Sequence, residues 1–268
     1  MHILLTNDDG IRSPGLRALY AAMIRDGHRV SVVAPMTEQS AVGHSVTFFS
    51  PLRVKEVVEP EFTGLGVFGT PVDCVKLALT TLLDTPPDLI LSGINNGANV
   101  GVDVLYSGTV SAATEGALAG LPALAVSIDD FSPRDLSAHA AFVRKFLAGN
   151  QWKRVPPKCV LNLNFPAIDL ADSPGLRVCS QTVAVYRDGY DVRNDPRGRP
   201  YYWLTGEIPP EEVAPGTDRD LLSRGYVTLT PLSFDLTNWE FLETLETMLA
   251  DEDETFSSKR LHSNQSKS

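Results

Sequence analysis

Apolar and polar positions along this chain come in short blocks whose period changes. Ile3-Leu4-Leu5 is an unbroken apolar run that stops at Thr6-Asn7-Asp8-Asp9, the pattern of a strand buried on both faces. After Ser13-Pro14-Gly15, the residues Leu16, Leu19, Tyr20, Met23 and Ile24 recur at helical spacing. Ser13 can cap the first free N–H groups, and Pro14 suits the first helical position. His28 to Pro35 reads as a second strand, ended by proline. Strand, helix and strand in succession imply a right-handed crossover and a parallel sheet.

The same start device recurs. Thr70-Pro71-Val72-Asp73 precedes Val75, Leu79, Leu82 and Leu83, and Ser132-Pro133-Arg134-Asp135 precedes Leu136, Phe142, Val143 and Phe146. Each offers a capping hydroxyl, a proline and a carboxylate in the first turn. Asp88 to Ser92, Leu121 to Ser127 and Val160 to Leu163 are further buried-strand segments. The expected fold is α/β, a Rossmann-like doubly wound, mostly parallel sheet. From about 177 to 229 the runs shorten, and Asp195-Pro196-Arg197-Gly198-Arg199-Pro200 is a turn signal, so a hairpin arm is expected there. Trp239 to Leu249 carries a helical stripe of Phe241, Leu242, Leu245, Met248 and Leu249. Residues 1–250 are expected to form one domain, and 251–268, opening on Asp251-Glu252-Asp253-Glu254, a disordered polar tail.

Composition narrows the function. The 268 residues are 43% hydrophobic and 21% charged, ordinary globular values. A formal net charge of −10 disfavours a nucleic-acid duplex and an anionic membrane as partners. A small anionic substrate remains open, because a bound cation can invert the local field. Cys74, Cys159 and Cys179 are scattered and form no metal-binding spacing, as expected of reduced thiols in a cytoplasmic protein. The N-terminus has no basic leader, and no apolar run approaches the ~20 residues of a membrane span.

Candidate chemistry lies where strands end. Asn7-Asp8-Asp9-Gly10 follows the first strand. Adjacent carboxylates there repel each other, and a hard divalent cation would relieve them; a simple Asp-Gly turn is the alternative. Ser92-Gly93-Ile94-Asn95-Asn96-Gly97-Ala98-Asn99 offers neutral carbonyl oxygens that can complete a magnesium or manganese shell, or form a long turn. Tyr106-Ser107-Gly108-Thr109 leads into a small-residue helix whose hydroxyls and N–H groups suit a phosphate or serve as a plain cap. It is no Walker loop, because the lysine is missing. The loop Gln39-Ser40-Ala41-Val42-Gly43-His44 adds Ser40 as an oxygen, with His44 read as solvated or structural. In a doubly wound sheet these loops share one edge. Together they suggest metal-assisted phosphoryl transfer to water.

These segments also carry a resemblance. Leu4 to Gly10, Ala34-Pro35 with Gln39-Ser40, Gly69 to Val75, Ser92 to Asn99, Tyr106 to Val110, Glu115-Gly116, Pro122 to Ser127, Asp195 to Gly198, Gly216-Thr217-Asp218 and Gly225-Tyr226-Val227 resemble, in order, the SurE family of stationary-phase survival nucleotidases. The resemblance implies a phosphatase of nucleoside 5′- and often 3′-monophosphates, active also on polyphosphate. It implies one Mg2+ or Mn2+ per subunit, held by Asp8, Asp9, Ser40 and Asn95. It further implies Asn99 as an active-site asparagine, a phosphate turn at Ser107, Gly108 and Thr109, and a homodimer or homotetramer with exchanged arms. On that footing Asp8 and Asn99 are the expected catalytic residues; one of the two carboxylates, Asp8 ahead of Asp9, is expected to accept the water's proton. Two rivals stay open. The first strand–helix–strand unit also suits a nucleotide-sugar glycosyltransferase, which usually needs a second α/β domain. A non-catalytic phosphate-binding stress protein is the other.

Overall fold

The computed structural model describes residues 1–252. Met1–Leu232 form one compact unit and a second begins at Ser233. In the first unit, β1 (His2–Thr6), α1 (Pro14–Arg25) and β2 (Arg29–Pro35) follow in order. They are followed by β3 (Val54–Glu59), β4 (Phe62–Val67), α2 (Pro71–Leu77) and β5 (Leu89–Asn96). Next come α3 (Gly108–Leu118), β6 (Ala123–Ile128), α4 (Ser137–Ala148) and β7 (Cys159–Phe165). The unit ends with β8 (Leu176–Val178), β9 (Arg187–Asn194), β10 (Pro200–Glu207), α5 (Asp218–Ser223) and β11 (Val227–Ser233).

Nine strands form one sheet in the order β3-β4-β2-β1-β5-β6-β7-β11-β8. The pairs from β4 through β7 are parallel, as is β11 with β8, and β3 runs antiparallel to β4. The expected doubly wound α/β sheet is present. Successive residues of β5 separate its two faces. Leu91 joins the core with Leu19 and Met23 of α1 and Val143 and Leu147 of α4. Ile90, on the other face, lies so close to Gly116 of α3 that a Cβ there would come within 2.2 Å of its Cγ1. The chain runs from β1 outward to β2, then returns to β5 on β1's other side. The switch point therefore lies between β1 and β5, where ligands of open α/β sheets bind.

Two helix starts follow from side chains named above. Ser13 accepts from Leu16 N, and Thr70 and Asp73 cap α2 reciprocally. The third device fails. Helix α4 begins at Ser137 rather than after Ser132, because Asp135 Oδ1 accepts from Ser137 N and its hydroxyl and turns the chain there. The β3–β4 hairpin was not expected. Gly64 and Gly66 dilute its apolar pattern, and at Gly64 the neighbouring strand leaves no room for a side chain. A Cβ at Gly64 would lie 2.9 Å from Val32 Cβ, and one at Gly66 2.1 Å from Met36 Sδ.

The arm is shorter than the expected span of 177–229. Only β9 and β10 form the separate two-stranded sheet. β8 and β11 belong to the main sheet, because their backbones pair in register from Val227 with Leu176 to Leu229 with Val178. The described residues divide at Ser233, inside the span 1–250 expected as one domain. In the second unit α6 (Trp239–Glu252) matches the expected helical stripe and runs past the expected boundary at 251. The remainder of that tail lies outside the described residues.

Candidate active site

The loop after β1 is closed by its own side chains. Asn7 Nδ2 donates to Gly10 O (3.1 Å) and Ser13 Oγ (2.6 Å), which ties the loop to the cap of α1. Gln39 N donates to Asp8 O and Ile11 N to Pro35 O, both at 2.8 Å, so the loop after β2 is held beside it.

Asp8 is 5% exposed. The Thr109 hydroxyl, 101 residues along the chain, donates to Asp8 Oδ1. Burial pushes the Asp8 carboxyl above its ordinary value, and the Thr109 hydroxyl and the N–H groups of Thr109 and Gly108 oppose that shift. Gly108 must lack a side chain here, because a Cβ would sit 2.7 Å from Asp8 Cβ and 2.9 Å from Oδ2. Asp9 accepts from Asn96 N (3.2 Å). Its carboxyl is pushed up to about 7, first by burial and then by the charges of Asp8 and Glu38. No ion pair among the described residues involves Asp8 or Asp9. Asp8 is thus buried and Asp9 half-buried beside it, and among the described residues neither is ion-paired.

Oxygen-bearing side chains line a cavity with Asp9. This cavity of about 600 Å³ is lined by Asp9, Ser40, Asn96, Arg12, Met36 and Phe131, among others. Asn96 Oδ1 is buried without a hydrogen-bond partner. Asn95 Nδ2 donates to Gly97 O (2.7 Å), which commits one amide hydrogen and leaves its side-chain carbonyl oxygen as an acceptor. Ser40 is exposed, and its hydroxyl donates to Glu38 Oε1 (2.6 Å). Among the described residues no group of three or more His, Cys, Asp or Glu side chains clusters as a metal centre would need. Two carboxylates with neutral amide and hydroxyl oxygens instead fit a hard, oxygen-preferring cation that keeps part of its water. A larger apolar cavity of about 650 Å³, lined by Phe146, Trp152 and Leu229 among others, contains none of these groups.

At the start of α3 both hydroxyl groups have partners within the fold. Ser107 caps α3 by accepting from Val110 N (3.1 Å), and its O–H remains free to donate. Thr109 is spent on Asp8. Asn99 sits in a buried network: its Nδ2 donates to Ser127 Oγ (2.7 Å), its N–H donates to Asn164 Oδ1 (2.8 Å), and Asn162 Nδ2 donates to its carbonyl (2.8 Å). The loop from Asn99 to Ser107 is pinned from the base of the arm. Fully buried Asp218 accepts from Gly101 N and Thr182 N, each at 2.8 Å. His44 Nε2 lies 3.0 Å from Glu115 Oε2. Asn96, Glu38, Ser127, Asn162, Asn164 and Asp218 were not singled out from sequence as site residues.

The family model for survival protein SurE matches residues 3–188. The chain belongs to the SurE family. The protein "5′-nucleotidase SurE" of Nitratidesulfovibrio vulgaris (strain DSM 19637 / Miyazaki F) is 59% identical over 251 residues, 94% of this chain and 93% of that one. The protein of the same description from Solidesulfovibrio magneticus is 60% identical over 249 residues, 93% of this chain and 98% of its own. Among solved structures, the SurE protein from Aquifex aeolicus superposes with a TM-score of 0.79 at 36% identity, over 92% of this chain and 99% of that one. The paired aspartates after β1, the Asn95 loop and the capped start of α3 therefore lie within the stretch that defines SurE.

Proposed function

We propose that this protein is a metal-dependent 5′-nucleotidase that hydrolyses nucleoside monophosphates to nucleoside and phosphate, accepts 3′-nucleotides, and shortens polyphosphate. One observation carries the reading: Asp8 and Asp9 lie unpaired at the switch point of the sheet, with Asp8 against the start of α3. The relatives described as 5′-nucleotidase SurE, aligned over more than nine-tenths of the chain, support the substrate class.

Asp8 and Asp9 hold one Mg2+ or Mn2+, with Ser40 and Asn95 completing the protein's share of the shell. Such a cation polarises a phosphoryl oxygen and acidifies water. The chain's own groups do the rest. Thr109 fixes the Asp8 carboxylate, so that Asp8 can also accept the proton of the attacking water. The Ser107 hydroxyl, the Gly108 and Thr109 peptides and the Asn99 amide hold the phosphate, the Asn99 network keeping that side chain in one position. The glycosyltransferase alternative loses its footing, since the described residues contain one α/β sheet and a hairpin rather than two α/β domains.

The arm supports the expected homodimer or homotetramer: Tyr190, Val192, Tyr202, Trp203 and Leu204 are all exposed on it. Three free cysteines accord with a cytoplasmic location. No helix among the described residues is long and apolar enough to cross a membrane. The test is phosphate release from a panel of nucleoside monophosphates, first with chelator and then with added Mg2+ or Mn2+. Release that needs the cation is expected, and a flat panel in both metals contradicts the reading.

A further inference from the structure

Phe131 stands at the mouth of the acidic cavity with its side chain 82% exposed. Its backbone is nevertheless firmly held. Asp129 N donates to Phe165 O (2.8 Å), Ser132 N to Asp130 Oδ1 (2.8 Å), and Gly97 N to both Ile128 O (2.8 Å) and Asp130 O (3.1 Å). The last two bonds tie the Phe131 loop to the segment that carries Asn95 and Asn96. The ring edge also lies against Gly97, where a Cβ would come within 2.8 Å of Phe131 Cε1. An exposed aromatic ring is thus seated beside the segment that carries Asn95 and Asn96 and lines the cavity.

The cavity lining mixes two chemistries. Asp9, Glu38, Ser40 and Asn96 supply oxygen atoms and Arg12 a cation, whereas Phe131 and Met36 supply apolar surface. Its volume, about 600 Å³, is in the range of small-molecule sites. A nucleoside monophosphate also joins two chemistries, a charged phosphate and a flat base. We propose that Phe131 is a specificity-determining residue on which the nucleobase stacks while the phosphate sits near Asp8 and Asp9. This rests on the nucleotidase reading above. A phenyl ring offers a π-face and no hydrogen-bond code, so it grips purines and pyrimidines alike, purines more tightly through the larger overlap.

The test uses the full chain with Mn2+, and compares the wild type with Phe131→Ala, Phe131→Leu and Phe131→Tyr. The readouts are kcat and KM for adenosine and cytidine monophosphates and the inhibition constant of inorganic phosphate. Phe131→Ala and Phe131→Leu should raise KM for the adenine nucleotide about tenfold, the usual worth of one base–aromatic stack, and less for the cytosine nucleotide. Both should leave kcat within about twofold and phosphate inhibition unchanged, and Phe131→Tyr should behave as wild type. An unchanged KM in Phe131→Ala overturns the proposal while leaving the nucleotidase reading standing. So does an equal weakening of phosphate, which would mean that the ring only shapes the loop. A wild type that releases no phosphate from either nucleotide removes both readings.

Discussion

The strand ends of the α/β body and the β9–β10 arm use side chains in opposite ways. At the strand ends, several buried polar groups take partners from distant parts of the chain, Asp8 from Thr109, Asn99 from Ser127 and Asn164, and Gly101 from Asp218, while Asn96 Oδ1 is left without one. On the arm every residue of β10 is exposed, and its ion pairs, such as Arg193 with Asp191, lie in solvent. A two-stranded hairpin alone is marginal in water, and exposed ion pairs add little. Buried hydrogen bonds specify one position for each group, which a catalytic site needs. An exposed apolar hairpin specifies a surface.

Substitutions can break that contrast in graded steps. Asp8→Asn should lower cation-dependent phosphate release on the order of a thousandfold with an unchanged circular dichroism spectrum, since charge is lost and shape is kept. Gly108→Ala should cost about a hundredfold in kcat, because its methyl group displaces the Asp8 carboxylate. Asn164→Ala, which removes the acceptor of the Asn99 N–H, should cost about tenfold. Replacing residues 190–204 by a short Gly-Ser turn should change the mass seen by light scattering while phosphate release per chain falls less than about threefold. A loss there as large as that of Gly108→Ala would erase the distinction between the two regions.

A smaller effect sharpens the electrostatic side. In the cation-free fold the Asp9 carboxyl titrates at about 7 against an ordinary 3.8. Between those values the folded protein binds the extra proton, so cation-free stability falls as pH rises through that window. A divalent cation should therefore raise the melting temperature more at pH 8 than at pH 5 in a thermal-shift assay.

Much of this organisation is legible in the sequence, and the limits have physical causes. The run Ile3-Leu4-Leu5 and the Ser13-Pro14 and Thr70-Pro71 starts are local signals, and the structure follows them. So is Asn7-Asp8-Asp9 at a strand exit. What holds those aspartates is not local. Thr109 reads as a phosphate-side hydroxyl until the fold sets it against Asp8. Asn162 and Asn164 read as interruptions of an apolar strand until their amides are seen on the Asn99 carbonyl, more than sixty residues away. The β3–β4 hairpin is hidden by Gly64 and Gly66, of which Gly64 is required by the neighbouring Val32 side chain. Asp135 ended the Ser132 prediction by a turn of two residues.

The central claim is that Asp8 and Asp9 together hold a divalent cation. Anomalous diffraction from crystals soaked in manganese tests it most directly. The account predicts one strong peak per chain within bonding distance of both carboxylates, lost in Asp8→Asn crystals. Soaked wild-type crystals with no peak between Asp8 and Asp9, or with a peak that survives Asp8→Asn, would contradict it.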